Sequence, residues 1–396
     1  MKISGIICEY NPLHNGHIHH IEETRKNGAT HIVGIMSGNY VQRGDVAILN
    51  KFDRAKLAVK SGVDLVVELP APYCLATAEK YARGAVFLLK SLGVVDELSF
   101  GSECGDIGML RRGAAVADEF SNSKEVIDML EEGKTYPAAI YELTKKKYGD
   151  AVSSLFEGPN NELAIEYIRA INHLEAKIDP FTIVRLGNEH DAADSIIDGY
   201  ASASAIRKSI FEGKDFTDKA PEETCKAIFE SLKSGKISRG ETLERLFLYK
   251  LRSMSVEDIA KLPDVAQGLE HRIYEARDCT SMADVLKKVK TKRYTMARIR
   301  RIFFNMLLGI TAEDLNFYPP YGRILATNER GFEILSEAKG KAVIPFGTSL
   351  AKLSAIDEVS ARYAKIESDS TDIYSLSCKK VQSAGLDYRT KVSIVD

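Results

Sequence analysis

The first twenty residues constrain the fold of this chain more than any other stretch. Residues 3–8 form a short apolar run, which is typical of a strand that is buried on both faces. Pro12 ends the run, because proline has no N–H for a ladder and disfavours helical angles at the residue before it. From Gly16 onward, Ile18 and Ile21 recur at helical spacing. The stretch therefore predicts a buried strand, a sharp turn and the start of a helix.

The predicted turn carries a His-x-Gly-His pattern, formed by His14, Gly16 and His17. Glycine lets a base or a phosphate approach the backbone, and a helix N-terminus offers unpaired N–H groups to a phosphate. Two imidazoles beside that turn can donate to phosphate oxygens while charge builds in a displacement at phosphorus. The alternative is that both histidines are ordinary polar residues of a helix cap. The position directly after a strand favours nucleotidyl transfer.

Composition excludes several classes of protein. The 396 residues are 44% hydrophobic and 28% charged with a net charge of −2, as in a globular protein of two or three domains. Any surface for nucleic acid must therefore be local. The six cysteines form no Cys-x-x-Cys pair, which argues against structural zinc and favours reduced thiols in the cytoplasm. There is no signal peptide and no apolar run near the ~20 residues that cross a bilayer, so we expect a cytoplasmic protein without a membrane partner.

Strands and helices alternate through the first half of the chain. Strand-like runs at 31–36, 64–69, 94–100 and 181–186 are separated by helical patterns such as 52–61 and 77–91. This alternation predicts an α/β fold with parallel βαβ units in a Rossmann-like, doubly wound sheet of the nucleotidyltransferase type. Residues 106–148 are helical and charged, and they predict an insertion on that sheet.

A polar loop follows the predicted strand 31–36. It contains Ser37, Gly38, Asn39, Gln42 and Arg43. Open parallel sheets bind their ligands at the carboxyl ends of strands, so we expect this loop to contact a substrate. The alternative interpretation is a polar turn without a ligand.

Two later segments carry further candidates. Arg185 ends an apolar strand, where a charge is costly unless it is paired, so we expect an anionic partner for it. Ser202, Ser204 and Arg207 lie at the start of a helix and predict a second phosphate site, the alternative being a serine cap with a solvated arginine. In residues 160–161, one asparagine is expected to cap the helix that follows.

The second half of the chain contains a dense basic stretch at residues 284–301. Periodicity places an apolar stripe on one face of a helix there, and the acids are few. Such a patch on a near-neutral protein is what local phosphate binding requires, although a charge run is often only a solvated face. The candidate RNA-binding residues are Lys287, Lys288, Lys290, Lys292, Arg293, Arg298 and Arg301. We therefore expect a catalytic, ATP-binding domain at 1–212 and a helical, then mixed α/β, tRNA-binding region at 213–396.

Six motifs, in this order, resemble those of the tRNA(Met) cytidine acetate ligases, a family of HxGH nucleotidyltransferases. They are EYNPLHNGH (9–17), MSGNYVQRG (36–44), DLVVELP (64–70), SFGSE (99–103), PNN (159–161) and SASAIR (202–207). The first and last are general to the superfamily, whereas the second and third narrow the resemblance to this family. The loop 187–191 departs from the family pattern, which has an aromatic residue before its His and Asp.

The resemblance implies an enzyme that forms acetyl-adenylate from acetate and ATP. The acetyl group then passes to N4 of the wobble cytidine of elongator tRNA-Met. The resemblance implies ATP contacts from Ile7, Cys8, Glu9, Tyr10, Asn11, Pro12, Leu13, Asn15, Gly16, Ile18, His19, His20, Gly101, Asn161 and Arg185. We assign His14 and His17 to the α-phosphate, and Ser202, Ser204 and Arg207 to the pyrophosphate. Mg²⁺ is expected on the phosphates, with no metal site in the protein itself.

Two other classes of function remain open at this point. A small-molecule nucleotidyltransferase, such as a cofactor or pantothenate-type adenylating enzyme, would share the first and last motifs but would not need the basic second half. A non-catalytic RNA-binding protein with a decayed nucleotide site would not need His14, Gly16, His17 and Arg207, all of which are present.

Overall fold

A computed structural model describes residues 1–185, 196–197, 200–266 and 268–396. The predicted polar loop 187–191 lies outside the described residues. The strands are β1 (Ile3–Cys8), β2 (His31–Ser37), β3 (Tyr40–Val41), β4 (Asp45–Val46), β5 (Leu65–Leu69), β6 (Glu97–Ser102), β7 (Asp179–Val184), β8 (Ile196–Ile197), β9 (Tyr200–Ala201), β10 (Gly322–Thr327), β11 (Phe346–Gly347) and β12 (Ser393–Ile394).

The helices of the first half surround the sheet. They are α1 (Asn15–Lys26), α2 (Lys51–Lys60), α3 (Ala71–Cys74), α4 (Ala78–Leu92), α5 (Ile107–Phe120), α6 (Lys124–Glu131), α7 (Tyr136–Tyr148), α8 (Asp150–Ser153), α9 (Pro159–His173) and α10 (Ala203–Glu212).

The second half is mainly helical. Its helices are α11 (Glu222–Ser234), α12 (Glu244–Ser253), α13 (Val256–Ala260), α14 (Leu269–Glu275), α15 (Met282–Val289), α16 (Met296–Leu308), α17 (Glu329–Ala338), α18 (Leu350–Ser354), α19 (Glu358–Ser375) and α20 (Leu386–Arg389). Short 3₁₀ turns occupy 154–156, 240–243, 276–278 and 312–315.

The central sheet has the strand order β11-β10-β5-β2-β1-β6-β7, with β12 also paired to β10. The pairs from β5 through β7 are all parallel, which confirms the predicted doubly wound sheet. In β1, Ile3 lies opposite His31 of β2, and Ser4 lies opposite Glu97 of β6. Parallel pairing brings the carboxyl ends of β1, β2 and β6 to one edge, where the candidate site lies.

The apolar faces of the helices bury both sides of the sheet. On one side, α4 packs Val86, Leu88 and Leu89 against the strands in the largest core. On the other side, α1 and α2 contribute Ile21 and Ala58 to a separate cluster. Because both faces of β1 are covered, its residues read as an unbroken apolar run rather than an alternating one.

The insertion predicted at 106–148 is helical. Helices α5 to α7 occupy it, α8 follows directly, and all four pack with α9 in the largest core. The helices from α12 to α16 form a second core together with residues of β3, β4, α3 and α19.

Helix α16 reaches the edge of the sheet that carries the candidate site. Gly44, in the turn between β3 and β4, has a positive φ of +75°, and an added Cβ would lie 2.6 Å from the Cβ of Arg300. Only glycine permits this backbone and this approach together. The helical second half is therefore seated directly on the β3–β4 turn.

Strands from the second half also extend the sheet. Strand β10 pairs antiparallel with β5, placing Arg323 opposite Glu68 and Ile324 opposite Val67. The predicted domain boundary at residue 212 stays a prediction, and the sheet itself contains strands from both sides of it.

A buried cluster of charges joins α2, β5, β10, α19 and α20, and we call it the charge cluster. Lys51 Nζ lies 2.6 Å from Glu68 Oε1, 2.9 Å from Asp387 Oδ1 and 3.6 Å from Glu367 Oε2. The guanidinium of Arg323 pairs with both Glu68 and Asp387. All five side chains are at most 4% exposed. Loss of one partner would leave an uncompensated buried charge, which typically costs roughly 3–5 kcal/mol.

The charge cluster contains one more acid than base. Burial, followed by the nearby charge of Glu68, raises the pKa of Glu367 to about 8. A protonated Glu367 makes the cluster neutral around pH 7 and allows its carboxyl group to donate to Glu68.

Within the described residues, no helix combines the length and the apolar character needed to cross a bilayer.

The raised pKa of Glu367 predicts a pH dependence of stability. The folded state retains this proton at a pH where the unfolded chain, with an ordinary carboxyl pKa, has lost it. Stability from this group is therefore complete below the unfolded pKa and is lost as pH rises towards 8. We expect Glu367→Gln to reduce the fall in unfolding free energy between about pH 5 and 8, measured by urea titration. Glu358→Gln, at an exposed position of the same helix, should leave that fall unchanged, and equal slopes for all three proteins would contradict the prediction.

Candidate functional site

The N-terminus of α1 holds both histidines of the His-x-Gly-His pattern. His14 is the N-cap residue, and its Nδ1 accepts a hydrogen bond from the N–H of Gly16 at 3.1 Å. In return, Nδ1 of His17 accepts from the N–H of His14 at 3.2 Å. The two rings stack with centroids 3.7 Å apart. The pair thus forms a capping box in which imidazoles replace the usual Ser and Glu.

These hydrogen bonds determine where each imidazole carries its proton. A backbone N–H can only donate, so both Nδ1 atoms must be unprotonated acceptors. Burial, and then the charge of Arg185, lowers the pKa of His14 to about 3. Burial and the neighbouring His14 lower the pKa of His17 well below its ordinary value. At neutral pH both rings are therefore neutral, with their only proton on Nε2, and each offers one N–H donor.

A third histidine of α1 is held by the adjacent strand. Nε2 of His20 lies 3.0 Å from Oγ of Ser99, which lies 2.7 Å from Oγ1 of Thr24. Thr24 donates its own hydroxyl proton to the carbonyl oxygen of His20, so Ser99 donates to Thr24 and accepts from His20. Burial lowers the pKa of His20 to about 4. Ser99 belongs to the SFGSE motif, but a serine inside an apolar strand gives no signal of its partner, so the sequence alone assigns it no role.

The start of α10 lies beside the turn that follows β1. Nη1 of Arg207 donates to the carbonyl oxygen of Asn11 at 2.7 Å, and Nη2 donates to Oγ of Ser204 at 3.2 Å. Oγ of Ser202 caps α10 by accepting from the N–H of Ala205 at 3.1 Å. The structure therefore brings the first and last motifs together, as a common phosphate site requires.

Arg54 of α2 holds the carboxyl ends of two neighbouring strands. Its guanidinium is 1% exposed and donates to the carbonyl oxygens of Glu9, Ser37, Gly38 and Leu49. Strand ends leave such carbonyl groups without ladder partners, so one arginine satisfies several of them at once. The sequence does not single out Arg54, because it lies in a helical segment of mixed charge.

Part of the predicted substrate loop is buried in the protein interior. Ser37 and Asn39 are at most 3% exposed. The side chain of Asn39 accepts from the N–H of Lys51 at 2.8 Å and donates to Oγ1 of Thr371 at 3.0 Å. Both polar ends of Asn39 are thereby used within the fold, which ties the loop to α19.

The remainder of that loop is tied to the end of β1 and brings Arg43 near Arg185 and Arg207. Oε1 of Glu9 accepts from the N–H of Gln42 at 2.7 Å and so positions the adjacent Arg43. The charge of Arg43 acts on both Arg185 and Arg207. Burial raises the pKa of Glu9, while Arg54, Arg207 and Arg43 oppose that rise. A set of arginines thus converges on the edge of the sheet that carries His14 and His17.

Arg185 crosses the end of β6 to reach the histidines. A Cβ added to Gly101 would lie 2.8 Å from Cγ of Arg185, so the close approach at this glycine is made by the arginine stem. Nη1 of Arg185 donates to Oδ1 of Asn160 at 2.6 Å. We expected an anionic partner, and the hydrogen bond is to a neutral amide. The charge of Arg185 acts on His14, His17 and His20.

The expected asparagine cap of α9 is wrong. The N-cap residue is Gly158, and the N–H groups of Asn160 and Asn161 donate to the carboxylate of Glu103. Oδ1 of Asn161 instead accepts from the N–H groups of Glu103 and Cys104, at 3.0 and 3.1 Å. A carboxylate from another element satisfies the helix start more strongly than a local amide would.

The predicted RNA-binding residues fall into two groups, one exposed to solvent and one whose side chains contact other parts of the protein. Lys287, Lys288 and Lys292 are exposed, although Nζ of Lys288 also donates to the carbonyl oxygen of Glu275. Arg301 is 7% exposed and contacts Asp264 and the carbonyl oxygen of Gln42. The side chains of Lys290, Arg293 and Arg298 are turned to backbone carbonyl oxygens of Tyr294, Glu131 and Asp264. The basic stretch therefore supplies packing contacts as well as an exposed basic face.

In the part of the chain that the structure describes, no cluster of three or more His, Cys, Asp and Glu side chains is arranged to hold a metal ion. The polar groups of the site are mainly N–H donors, which suit phosphate oxygens rather than a metal ion.

Known proteins and a family model match this chain over nearly its whole length. The model of the HIGH Nucleotidyl Transferase family matches residues 1–388. A tRNA(Met) cytidine acetate ligase of Acetivibrio thermocellus is 35% identical and covers 100% of both chains. Another from Thermoanaerobacter sp. (strain X514) is 38% identical and covers 98% of each. The crystal structure of Thermotoga maritima TmcAL bound with alpha-thio ATP has a TM-score of 0.89 at 28% identity, and the apo form 0.91 at 29%, each covering 100% of both chains.

The hydrogen bonds at α1 predict the protonation state of its histidines. Long-range ¹H–¹⁵N spectra of the free protein should show His14 and His17 as neutral Nε2–H imidazoles from pH 8 down to about 5. His271, whose side chain is 69% exposed, provides the reference spectrum of a solvated ring. A titration midpoint near 6.5 for either His14 or His17, or a proton on Nδ1, would contradict the assignment.

Proposed function

The chain belongs to the HIGH nucleotidyl transferases and, within them, to the tRNA(Met) cytidine acetate ligases, and from this premise we propose how its residues carry out the family reaction. The enzyme is a ligase that joins acetate to ATP as acetyl-adenylate and transfers the acetyl group to N4 of the wobble cytidine, C34, of elongator tRNA-Met. The product is N4-acetylcytidine. The observation that supports these roles best is the pair of Nε2–H donors of His14 and His17 beside a set of arginines.

In the first half-reaction, a carboxylate oxygen of acetate attacks the α-phosphorus of ATP and pyrophosphate leaves. Negative charge builds on the non-bridging oxygens, and the Nε2–H groups of His14 and His17 donate to them. Each imidazole is already oriented by a backbone N–H on its other nitrogen, so little reorganisation is needed during the reaction.

Arg207 and the start of α10 hold the leaving pyrophosphate. The N–H groups at the helix start and the guanidinium both favour the multiply negative pyrophosphate. Oγ of Ser202 uses a lone pair to cap α10 and keeps its O–H free to donate. Arg43, in the turn between β3 and β4, adds a further positive charge for the pyrophosphate. Mg²⁺ would be bound by the phosphates of ATP.

The nucleoside part of ATP lies along the turn after β1 and the start of α1, from Ile7 to His20. Asn161 fixes the adjacent β6 loop, and Arg185 crosses Gly101 to the α-phosphate side of the site. In the second half-reaction, N4 of the cytidine attacks the acetyl carbonyl carbon and AMP leaves. No cysteine nucleophile is required, and burial raises the pKa of Cys8 to about 12, which keeps that thiol protonated.

The exposed lysines of the basic stretch contact the tRNA. Lys287, Lys288 and Lys292 project from the helical half that is seated on the β3–β4 turn. Phosphate contacts of this kind fix the position of an RNA without reading its sequence. Because the substrates are tRNA and ATP, we place the reaction in the cytoplasm.

The first test separates nucleotidyl transfer from RNA binding. The natural protein should transfer labelled acetate to total tRNA only when ATP is present, and His17→Ala should lower this rate at least ~100-fold because a transition-state donor is lost. The tRNA Kd of the variant, measured by filter binding, should change less than ~3-fold. ATP–pyrophosphate exchange driven by some acid other than acetate would instead identify a small-molecule nucleotidyltransferase.

The second test concerns the basic stretch. Replacing Lys287 and Lys292 by alanine should weaken tRNA binding and reduce the slope of log K against log salt by about 1 to 2, as expected for one or two lost phosphate contacts. Acetyl-adenylate formation without tRNA should not change. The control, Lys26→Ala with Lys177→Ala, removes two exposed lysines near the opposite edge of the sheet. If both double variants reduce the slope equally, the RNA surface lies elsewhere.

A further inference from the structure

The loop after β6 and the start of α9 clasp each other through Glu103. Oε1 of Glu103 accepts from the N–H of Asn160 at 3.0 Å and from its side-chain Nδ2 at 2.6 Å. Oε2 accepts from the N–H of Asn161 at 2.5 Å. Asn161 returns the contact by accepting from two N–H groups of the loop. The carboxylate therefore receives three donors from one helix start.

This clasp determines which way the side-chain amide of Asn160 faces. A carboxylate only accepts hydrogen bonds, whereas an amide has a donating NH₂ side and an accepting oxygen side. Since Glu103 takes the NH₂ group of Asn160, the oxygen must face the other way. There it accepts from Nη1 of Arg185 at 2.6 Å.

The stem of Arg185 is also constrained. Its backbone N–H donates to the carbonyl oxygen of Ser102 at 3.0 Å, and its Cγ lies across Gly101. With the stem held in this way, the acceptor supplied by Asn160 is what orients the guanidinium. The oriented charge acts on the imidazoles of His14 and His17.

We propose that Glu103 is a positioning residue for the nucleotidyl transfer, acting through the amide of Asn160 on Arg185. Glu103 touches no substrate itself. Its negative charge and acceptor chemistry hold the Asn160 oxygen towards Arg185, which keeps that guanidinium directed at the phosphates of ATP. The inference rests on the proposed placement of Arg185 in the ATP site.

Glu103→Gln tests the acceptor chemistry directly. Glutamine has one acceptor oxygen where the carboxylate has two, so it cannot accept from the N–H groups of both Asn160 and Asn161 while it also holds the NH₂ group of Asn160. The arrangement that fixes the Asn160 oxygen towards Arg185 is therefore disrupted. We expect kcat/KM for ATP, measured by acetate-dependent ATP–pyrophosphate exchange, to fall about tenfold, as for the loss of one charge-assisted hydrogen bond. Glu157→Gln, an exposed residue just before Gly158, is the matched control and should change kcat/KM less than twofold.

Two further measurements distinguish a relay from a merely structural effect. In an Arg185→Ala background, Glu103→Gln should cost less than twofold, because its effect passes through Arg185. Adding Asn160→Asp to Glu103→Gln should restore most of the activity. The new carboxylate accepts from the glutamine on one side and from Arg185 on the other.

The possible outcomes separate this proposal from the proposed function. If Glu103→Gln costs the same tenfold with and without Arg185, or if Asn160→Asp gives no rescue, the relay is wrong and the ligase mechanism stands. If Arg185→Ala leaves kcat/KM for ATP unchanged, both the relay and the placement of Arg185 in the ATP site are wrong. Should Glu103→Gln not fold, Asn160→Ala keeps the backbone clasp, and its effect must likewise vanish in the Arg185→Ala background.

Discussion

The candidate site depends on one buried arginine. Parallel strands end with carbonyl groups that have no ladder partner, and at β1 and β2 these groups point to Arg54. Burying a guanidinium is costly, and here several carbonyl dipoles offset the cost. Without that charge, the carbonyl groups of Glu9, Ser37 and Gly38 would lose the donor that they share, and the hydrogen bond between Glu9 and Gln42 would remain to join the two strand ends. Arg54 therefore has a structural role: it supports the candidate site although its side chain is buried.

The same short helix joins the site to the far end of the chain. Lys51 and Arg54 lie three positions apart on α2, and both are buried. Arg54 binds the strand ends, whereas Lys51 enters the charge cluster with Glu68, Glu367 and Asp387. The chain beyond residue 320 therefore helps to support the edge of the sheet that carries the candidate site, because the carboxylate of Asp387 neutralises Lys51. The family model likewise matches the second half of the chain, as far as residue 388.

Local sequence patterns predicted the strands and helices correctly. They did not predict which side chains contact each other across the fold. The apolar runs and the His-x-Gly-His turn gave the parallel sheet and the histidine pair, because periodicity and helix capping act over a few residues. The charged residues of α2 look like a solvated face in the sequence, although Lys51 and Arg54 are buried. Arg301 belongs to a basic run yet packs against Asp264, and the cap of α9 comes from Glu103. In each case the deciding contact spans dozens to hundreds of residues, which no local spacing reports.

The site combines neutral donors with fixed cations, and the two depend on each other. Arginines cannot lose their protons at physiological pH, so their charge is constant. That constant charge, together with burial, keeps His14 and His17 neutral. A neutral imidazole whose Nδ1 is occupied by a backbone N–H has one proton and one direction in which to donate it. In the proposed mechanism, the arginines therefore attract the phosphates, while the histidines donate in a fixed direction to the atom where charge develops. Because neither group must change its protonation to act, the site can stabilise the transition state without an internal proton transfer.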